Sequence, residues 1–434
     1  EILAEDTLKE LYEGYSSPKL SKLEIDSNFR ILLTDYNLEI NMKRRRLGGR
    51  FYKRGFIVLL VACALAVAGY YVHAAFFNTD WSIEDDLYGN VFPSVVISTA
   101  NADRSTIVKN DTNVIGSSKS PFAIKFRNTS PNARVRIIIN ETEFFHKSVY
   151  EVVAEKMGQT YVAYPDIIWK YDALRANKQP KPFTLSVEID KGFLDHSYKS
   201  RSFSMRSVNE CLLGYRDHSG KYHSTSYFYA AYVDEENGMI DSILHDALQT
   251  GIVKQFVGYQ FGGPARVKKE VFAIWYALQK RGFKYSSLTN TSLSSQSLFT
   301  QRVRLIDDSF KSKQLNCVDG TVLFASVLKG VGIDPVLVRV PGHMFLGFYL
   351  DKKHTKCSFL ETTIIGTVDV NEAERELGEI GAHNKSLAKF NHAMDVANEK
   401  YSLCKSRFGN SSNPNYMYLE LNKAMREVVQ PIGR

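Results

Sequence analysis

Cys317, His343 and Glu361 stand in the order of a thiol catalytic set, within Asn316-Cys317-Val318-Asp319-Gly320, Pro341-Gly342-His343 and Phe359-Leu360-Glu361-Thr362-Thr363. Thiol catalysis needs a nucleophile, a base to activate it and an acid to hold the base in one tautomer. Taken singly, each residue has an ordinary reading: an apolar-flanked Cys is a small core residue, and His343 or Glu361 is a satisfied polar group. The hypothesis therefore rests on the set.

The local pattern gives each member an element to sit on. Val318 to Leu328 is almost uniformly apolar and ends at Lys329-Gly330, with a second glycine at Gly332, as a buried helix with a glycine stop would. Cys317 then lies at the helix N-terminus, where backbone N–H groups and the dipole favour a thiolate and can donate to an oxyanion. Asn316 is the expected N-cap. Pro335 to Val340 reads as a short buried strand that Pro341-Gly342 breaks just before His343. Met344 to Leu350 and Cys357 to Leu360 read as the arms of a hairpin centred on Lys352, which sets His343 across from Glu361.

Residues Val271 to Gly366 resemble the transglutaminase-like superfamily. The resemblance is carried by Ile274-Trp275, by Arg281-Gly282-Phe283-Lys284-Tyr285, and above all by Gln314 to Gly320 with Leu323 to Leu328 and Gly332-Ile333-Asp334-Pro335. It implies a papain-like α+β core with Cys317 as nucleophile, His343 as base and Glu361 as orienter. The sequence departs from the family in Glu361, where Asp is usual, and in Thr362-Thr363 for the usual Pro-Thr; one extra methylene moves the carboxylate by about a bond length. Gln314, just upstream of Cys317, is a second oxyanion-donor candidate by analogy with the Gln of papain-like enzymes, although its spacing is shorter. Its competing reading is an exposed loop residue.

From Gly55 to Phe77 the chain has no Lys, Arg, Asp or Glu, long enough to cross the roughly 30 Å of a bilayer's hydrocarbon. Lys43-Arg44-Arg45-Arg46, Arg50 and Lys53-Arg54 precede it, and Asp80, Glu84, Asp85 and Asp86 follow. The positive-inside rule makes 1–54 a cytoplasmic segment and everything after Asn78 periplasmic or extracellular. The run is longer than a signal peptide's apolar core and lies far from Glu1, so it is expected as an uncleaved anchor of a single-pass protein, with the lipid membrane as one partner. The chain opens on Glu1 rather than Met, as a trimmed or partial sequence would. Of the net charge of +8, eleven basic and nine acidic residues fall before Gly55, leaving a mild +6 on the rest. That gives no case for nucleic acid, and the basic cluster is explained by topology or anionic lipid.

Residues 78–208 change texture. Val95 to Ser98, Val135 to Ile139, Phe183 to Ile189 and Tyr198 to Met205 read as short strands between Asn, Ser, Pro and Gly clusters. They predict a β-sandwich, with an immunoglobulin-like fold as the candidate. Past Glu210 the reading turns helical, with Met239 to Phe256 and Val267 to Gln279, and the tail from Asn371 reads as further helices, including Ala382 to Cys404. The expected organisation is thus an α+β chain: 1–54, a transmembrane helix over 55–77, the sandwich over 78–208, and a transglutaminase-like domain with helical extension over 209–434.

Metal and cofactor sites are not expected. There is no Cys-x-x-Cys or His-x-x-x-His pair, His383 and His392 do not share a helical face, and the phosphate-binding glycine patterns are missing. Cys211, Cys357 and Cys404 leave room for one disulfide that the sequence does not choose.

Two functions fit. In one, an outward-facing thiol hydrolase or acyltransferase attacks peptide, isopeptide or amide carbonyls of the cell envelope, with hydrolysis favoured because water is always present. In the other, the transglutaminase-like domain is an inert scaffold or binding module, as some superfamily members are.

Overall fold

The computed structural model describes residues 57–69, 81–102, 113–117, 119–192, 196–286, 294–409 and 415–433. Two compact units emerge, Glu1–Val72 and His73–Arg434. In the first, residues 57–69 form a helix whose apolar side chains, such as Val58 and Leu65, are exposed. The expected membrane run, 55–77, extends beyond this helix at both ends, and those ends lie outside the described residues, as does 1–54. Among the described residues no helix is long and apolar enough to cross a membrane.

The second unit is α+β. Its first part holds β1 (Trp81–Glu84), β2 (Asn90–Val91), α1 (Pro93–Ser98), β3 (Val114–Gly116), β4 (Ala123–Arg127), β5 (Ala133–Ile139), β6 (Ser148–Ala154), β7 (Thr160–Tyr164), α2 (Tyr171–Ala176), β8 (Lys181–Asp190) and β9 (His196–Met205). They form two sheets, ordered β1-β4-β7-β3 and β2-β9-β8-β5-β6. Period-2 alternation builds them: Phe183, Leu185, Val187 and Ile189 of β8 are buried, as are Val135, Ile137 and Ile139 of β5, whereas Arg134 and Arg136 are exposed. Phe122, next to β4, joins the sheets through ring contacts of 6.3 Å to Phe183 and 4.9 Å to Phe203.

Val95 to Ser98, expected as a strand, is the end of α1. Pro93 at the first turn presets a helical φ, and burial of Pro93, Ser94, Val96, Ile97 and Ser98 outweighs the β-preference of Val-Val-Ile.

The chain does not turn helical at Glu210. It first lays down β10 (Glu210–Arg216) and β11 (Tyr222–Ser224), which with β13 (Leu298–Arg302) form a three-stranded sheet. The apolar run Cys211-Leu212-Leu213 is buried in that sheet, and a short apolar run does not by itself distinguish strand from helix. Next come α3 (Gly238–Gln249) and α4 (Gly263–Lys280). The expected helix to Phe256 stops early because Thr250 caps it and Gly251 takes φ of 70°.

The site-bearing layer follows. Its elements are β12 (Lys284–Tyr285), α5 (Ile306–Ser312), β14 (Gln314–Leu315), α6 (Cys317–Gly330), β15 (Pro335–Val340), β16 (His343–Tyr349), β17 (Cys357–Leu360), α7 (Val370–Cys404), β18 (Met417–Glu420) and α8 (Lys423–Val428). β17-β16-β15-β18 is an antiparallel sheet whose fourth strand comes from the C-terminal tail, which the sequence had assigned to helices alone. Leu337, Met344, Leu346 and Phe348 join the core that includes α6. Val336, Val338, Val340, Phe345 and Phe359 pack instead with Ala397, Tyr401 and Cys404 of α7. Each fully buried large side chain is worth about 1.5–3 kcal/mol, so both faces hold the sheet firmly.

Candidate active site

Asn316 and Asp319 fix the start of α6. The Asn316 side chain accepts from the Val318 and Asp319 amides, each at 2.8 Å, and the Asp319 carboxylate accepts from the Asn316 N–H at 3.3 Å, closing a capping box. Arg304 holds Asp319 in place by an ion pair of 2.8 Å. Burial pushes the Asp319 pKa up, against the hydrogen bonds and charge of Arg304. Cys317 is the first helical residue, half-buried, and its N–H lies outside the two bonds the cap makes. That amide is therefore placed to donate to a developing oxyanion on a carbonyl bound at the sulfur.

The hairpin supplies the imidazole and the carboxylate. Leu346 pairs with Leu360, so Glu361 continues opposite Phe345, and His343 is its diagonal neighbour on the same face. His343 Nε2 and Glu361 Oε2 lie 2.6 Å apart. The Cys317 thiol also acts on this imidazole, raising its pKa. The three residues read from the sequence thus converge.

Burial alone would depress the imidazole pKa. The influence of Cys317, the hydrogen bond that His343 donates to Glu361 and the Glu361 charge outweigh it, lifting His343 to about 9. Glu361 is likewise opposed by burial, but His343, Lys400 and Thr363 lower it to about 2. At neutral pH the pair is imidazolium and carboxylate.

Glu361 divides its oxygens between two tasks. Oε1 accepts from the Thr363 hydroxyl at 2.7 Å and the Thr363 amide at 3.3 Å, capping the 3₁₀ turn Thr362–Thr367. Oε2 takes His343 and also Lys400 Nζ at 2.9 Å. The longer Glu side chain thereby reaches both its own turn and the imidazole. Lys400, on α7, was not foreseen. Its signal in the sequence is the stripe Phe390, Ala393, Met394 and Ala397, all buried, whose next i+3 step is position 400. Tyr229, in the 3₁₀ segment Ser226–Tyr232, was also missed; its phenol is raised by burial first, and also by Cys211 and Cys317.

Gln314 lies on β14, paired with Lys284 of β12, and is exposed. Its backbone carbonyl accepts from Arg304 and its N–H contacts Ser312, so the segment is anchored through main chain. Cys211, Cys317, Cys357 and Cys404 are free thiols. Among the described residues there is no group of three His, Cys, Asp or Glu that could hold a metal. No protein-family model matches this chain, and no curated protein matches it.

Proposed function

We propose that the chain is a membrane-anchored, extracytoplasmic thiol hydrolase of transglutaminase-like type, cleaving peptide, isopeptide or amide bonds through an acyl-enzyme. One observation carries the reading: His343 is held at 2.6 Å by a buried carboxylate on one nitrogen, and Cys317, at a helix N-terminus, is among the groups that raise its pKa. The helix bearing Cys317, packed on an antiparallel sheet bearing His343 and Glu361, supports a papain-like core, and the two facing sheets before it support an immunoglobulin-like sandwich. The uncharged run 55–77 with basic residues ahead of it supports the anchor.

The Cys317 thiolate attacks the substrate carbonyl, forming the C–S bond while the carbonyl π pair moves to oxygen, where the Cys317 amide donates. Collapse of this adduct breaks the C–N bond, and the His343 imidazolium gives its proton to the departing amine. Neutral His343 then takes a proton from water, whose oxygen attacks the thioester and releases acid and thiolate. Glu361 keeps Nε2 protonated, which leaves the other nitrogen for the proton transfers.

Alkylation of Cys317 by iodoacetamide as a function of pH tests the ion pair. Rapid reaction well below the ordinary thiol pKa of about 8.5, lost in His343→Ala, is the expected result. Slow alkylation that follows an ordinary thiol in both proteins would sink the enzyme reading and leave an inert scaffold, whose binding would survive Cys317→Ala.

A further inference from the structure

A cavity of about 400 Å³ opens where the two-sheet part meets α1, β10 and the segment Ser226–Tyr232, apart from the catalytic triad. Its floor is apolar, with Phe92, Val95, Leu212 and Phe228. Three phenols, Tyr164, Tyr215 and Tyr227, line it as well, and among the described residues none of their hydroxyls has a hydrogen-bond acceptor.

Three carboxylates and one ammonium line the same space. Glu84 pairs with Lys125 at 3.4 Å, the buried Asp85 pairs with Arg201, and Lys119 turns its Nζ to the Ala100 carbonyl at 2.8 Å. Asp86 is different: it is exposed, and no described cation pairs with it. Asp86 lines the cavity together with Tyr164 and Tyr215, and burial and then the Asp86 charge raise both phenols.

We infer that this cavity binds an alkylammonium group on an apolar stem, with Asp86 and the phenol oxygens taking the cation and the Phe92–Phe228 floor taking its methylenes. An unpaired carboxylate beside phenols gives charge-assisted hydrogen bonds and aromatic faces, both of which select a cation. A lysine-like side chain buries its stem and leaves its head at the polar rim, which is the order of chemistry found here. The volume lies in the range of small-molecule sites and exceeds what one such side chain fills, leaving room for the flanking peptide. A lysine within a peptide and a free diamine share this chemistry.

The test is ligand-observed NMR titration of the complete chain in detergent at low salt, with N-acetyl-lysine methylamide, its norleucine analogue and cadaverine as probes. The lysine probe is expected to bind roughly tenfold or more tighter than norleucine, and Asp86→Asn to reduce it to the norleucine level. Tyr215→Phe is expected to weaken the lysine probe without altering norleucine. Tighter binding of blocked lysine than of cadaverine assigns the site to peptides, and the reverse order assigns it to free amines. Equal affinity for lysine and norleucine, no change in Asp86→Asn, or no binding of either amine at millimolar concentration would overturn the inference. The same titration on Cys317→Ala keeps this site apart from the thiol: unchanged affinity is expected whether or not Cys317 is a nucleophile, and loss of affinity would overturn the separate site.

Discussion

Lys400 and His343 share one oxygen of Glu361, at 2.9 and 2.6 Å. The lysine neutralises part of the carboxylate that the imidazolium needs, and its own charge opposes protonation of His343. It therefore acts as a positioning residue that trims the basicity of the imidazole, while its ammonium lies 5.8 Å from the centroid of the Phe345 ring. Replacing it with methionine keeps most of the packing and removes the charge. Both electrostatic effects then move the same way, and the His343 pKa is expected to rise above 9 by roughly half a unit to one unit in Lys400→Met. An NMR titration of the His343 ring checks this without a substrate. A pKa that stays or falls would show that the ammonium is only a packing group.

At the scale of elements, α6 and the 3₁₀ turn after Glu361 touch through a glycine. A Cβ at Gly320 would meet Thr362 Oγ1 at 2.7 Å and Thr362 Cβ at 3.0 Å, and that buried hydroxyl has no hydrogen-bond partner. Glycine is required here for close approach of the helix that carries Cys317 to the turn that carries Glu361. Gly320→Ala is expected to cost about 1–3 kcal/mol in denaturant unfolding and to reduce Cys317 alkylation at neutral pH, by pushing Thr362 and its neighbour Glu361 off the imidazole. Full stability with full reactivity would mean that the turn yields freely. The placement of Cys317, His343 and Glu361 was legible because its determinants are local: an Asn cap before an apolar helix, a Pro-Gly break before His343, and a hairpin short enough to fix its register. The rest depends on distant partners. Met417–Glu420 is a four-residue strand only because β15 offers it an edge, and Pro-Ser-Val-Val-Ile-Ser becomes a helix through burial rather than propensity. Lys400 sits 39 residues from Glu361, and nothing local announces which strand its helix covers.

For the second unit as a whole, the C-terminal tail stitches early and late parts together. Gln430 donates to the Ser98 carbonyl at 2.8 Å, Ile432 to Ala231 at 2.9 Å, and Arg426 to Ala230 at 3.0 Å. One hydrophobic core runs from Trp81 to Ile432 without a break at residue 208, so loss of the site's ion pairs is expected to register in the melting of the whole unit. The sign follows from the two shifts. Glu361, lowered to about 2 from 4.5, contributes stability that is complete above pH 4.5 and disappears as pH falls through 2. His343, raised to about 9 from 6.5, contributes stability that is complete below pH 6.5 and disappears as pH rises through 9. The pair is thus fully stabilising from about pH 4.5 to 6.5 and is counted once, at about 3 kcal/mol. Glu361→Gln removes the charge on which both shifts depend. Its melting temperature is expected to lie several degrees below that of the wild type within this window, the gap narrowing toward pH 3 and toward pH 9.5. A gap that is the same at every pH would assign Glu361 to the turn cap alone, through Thr363, and would remove the electrostatic basis for an ion-paired thiol.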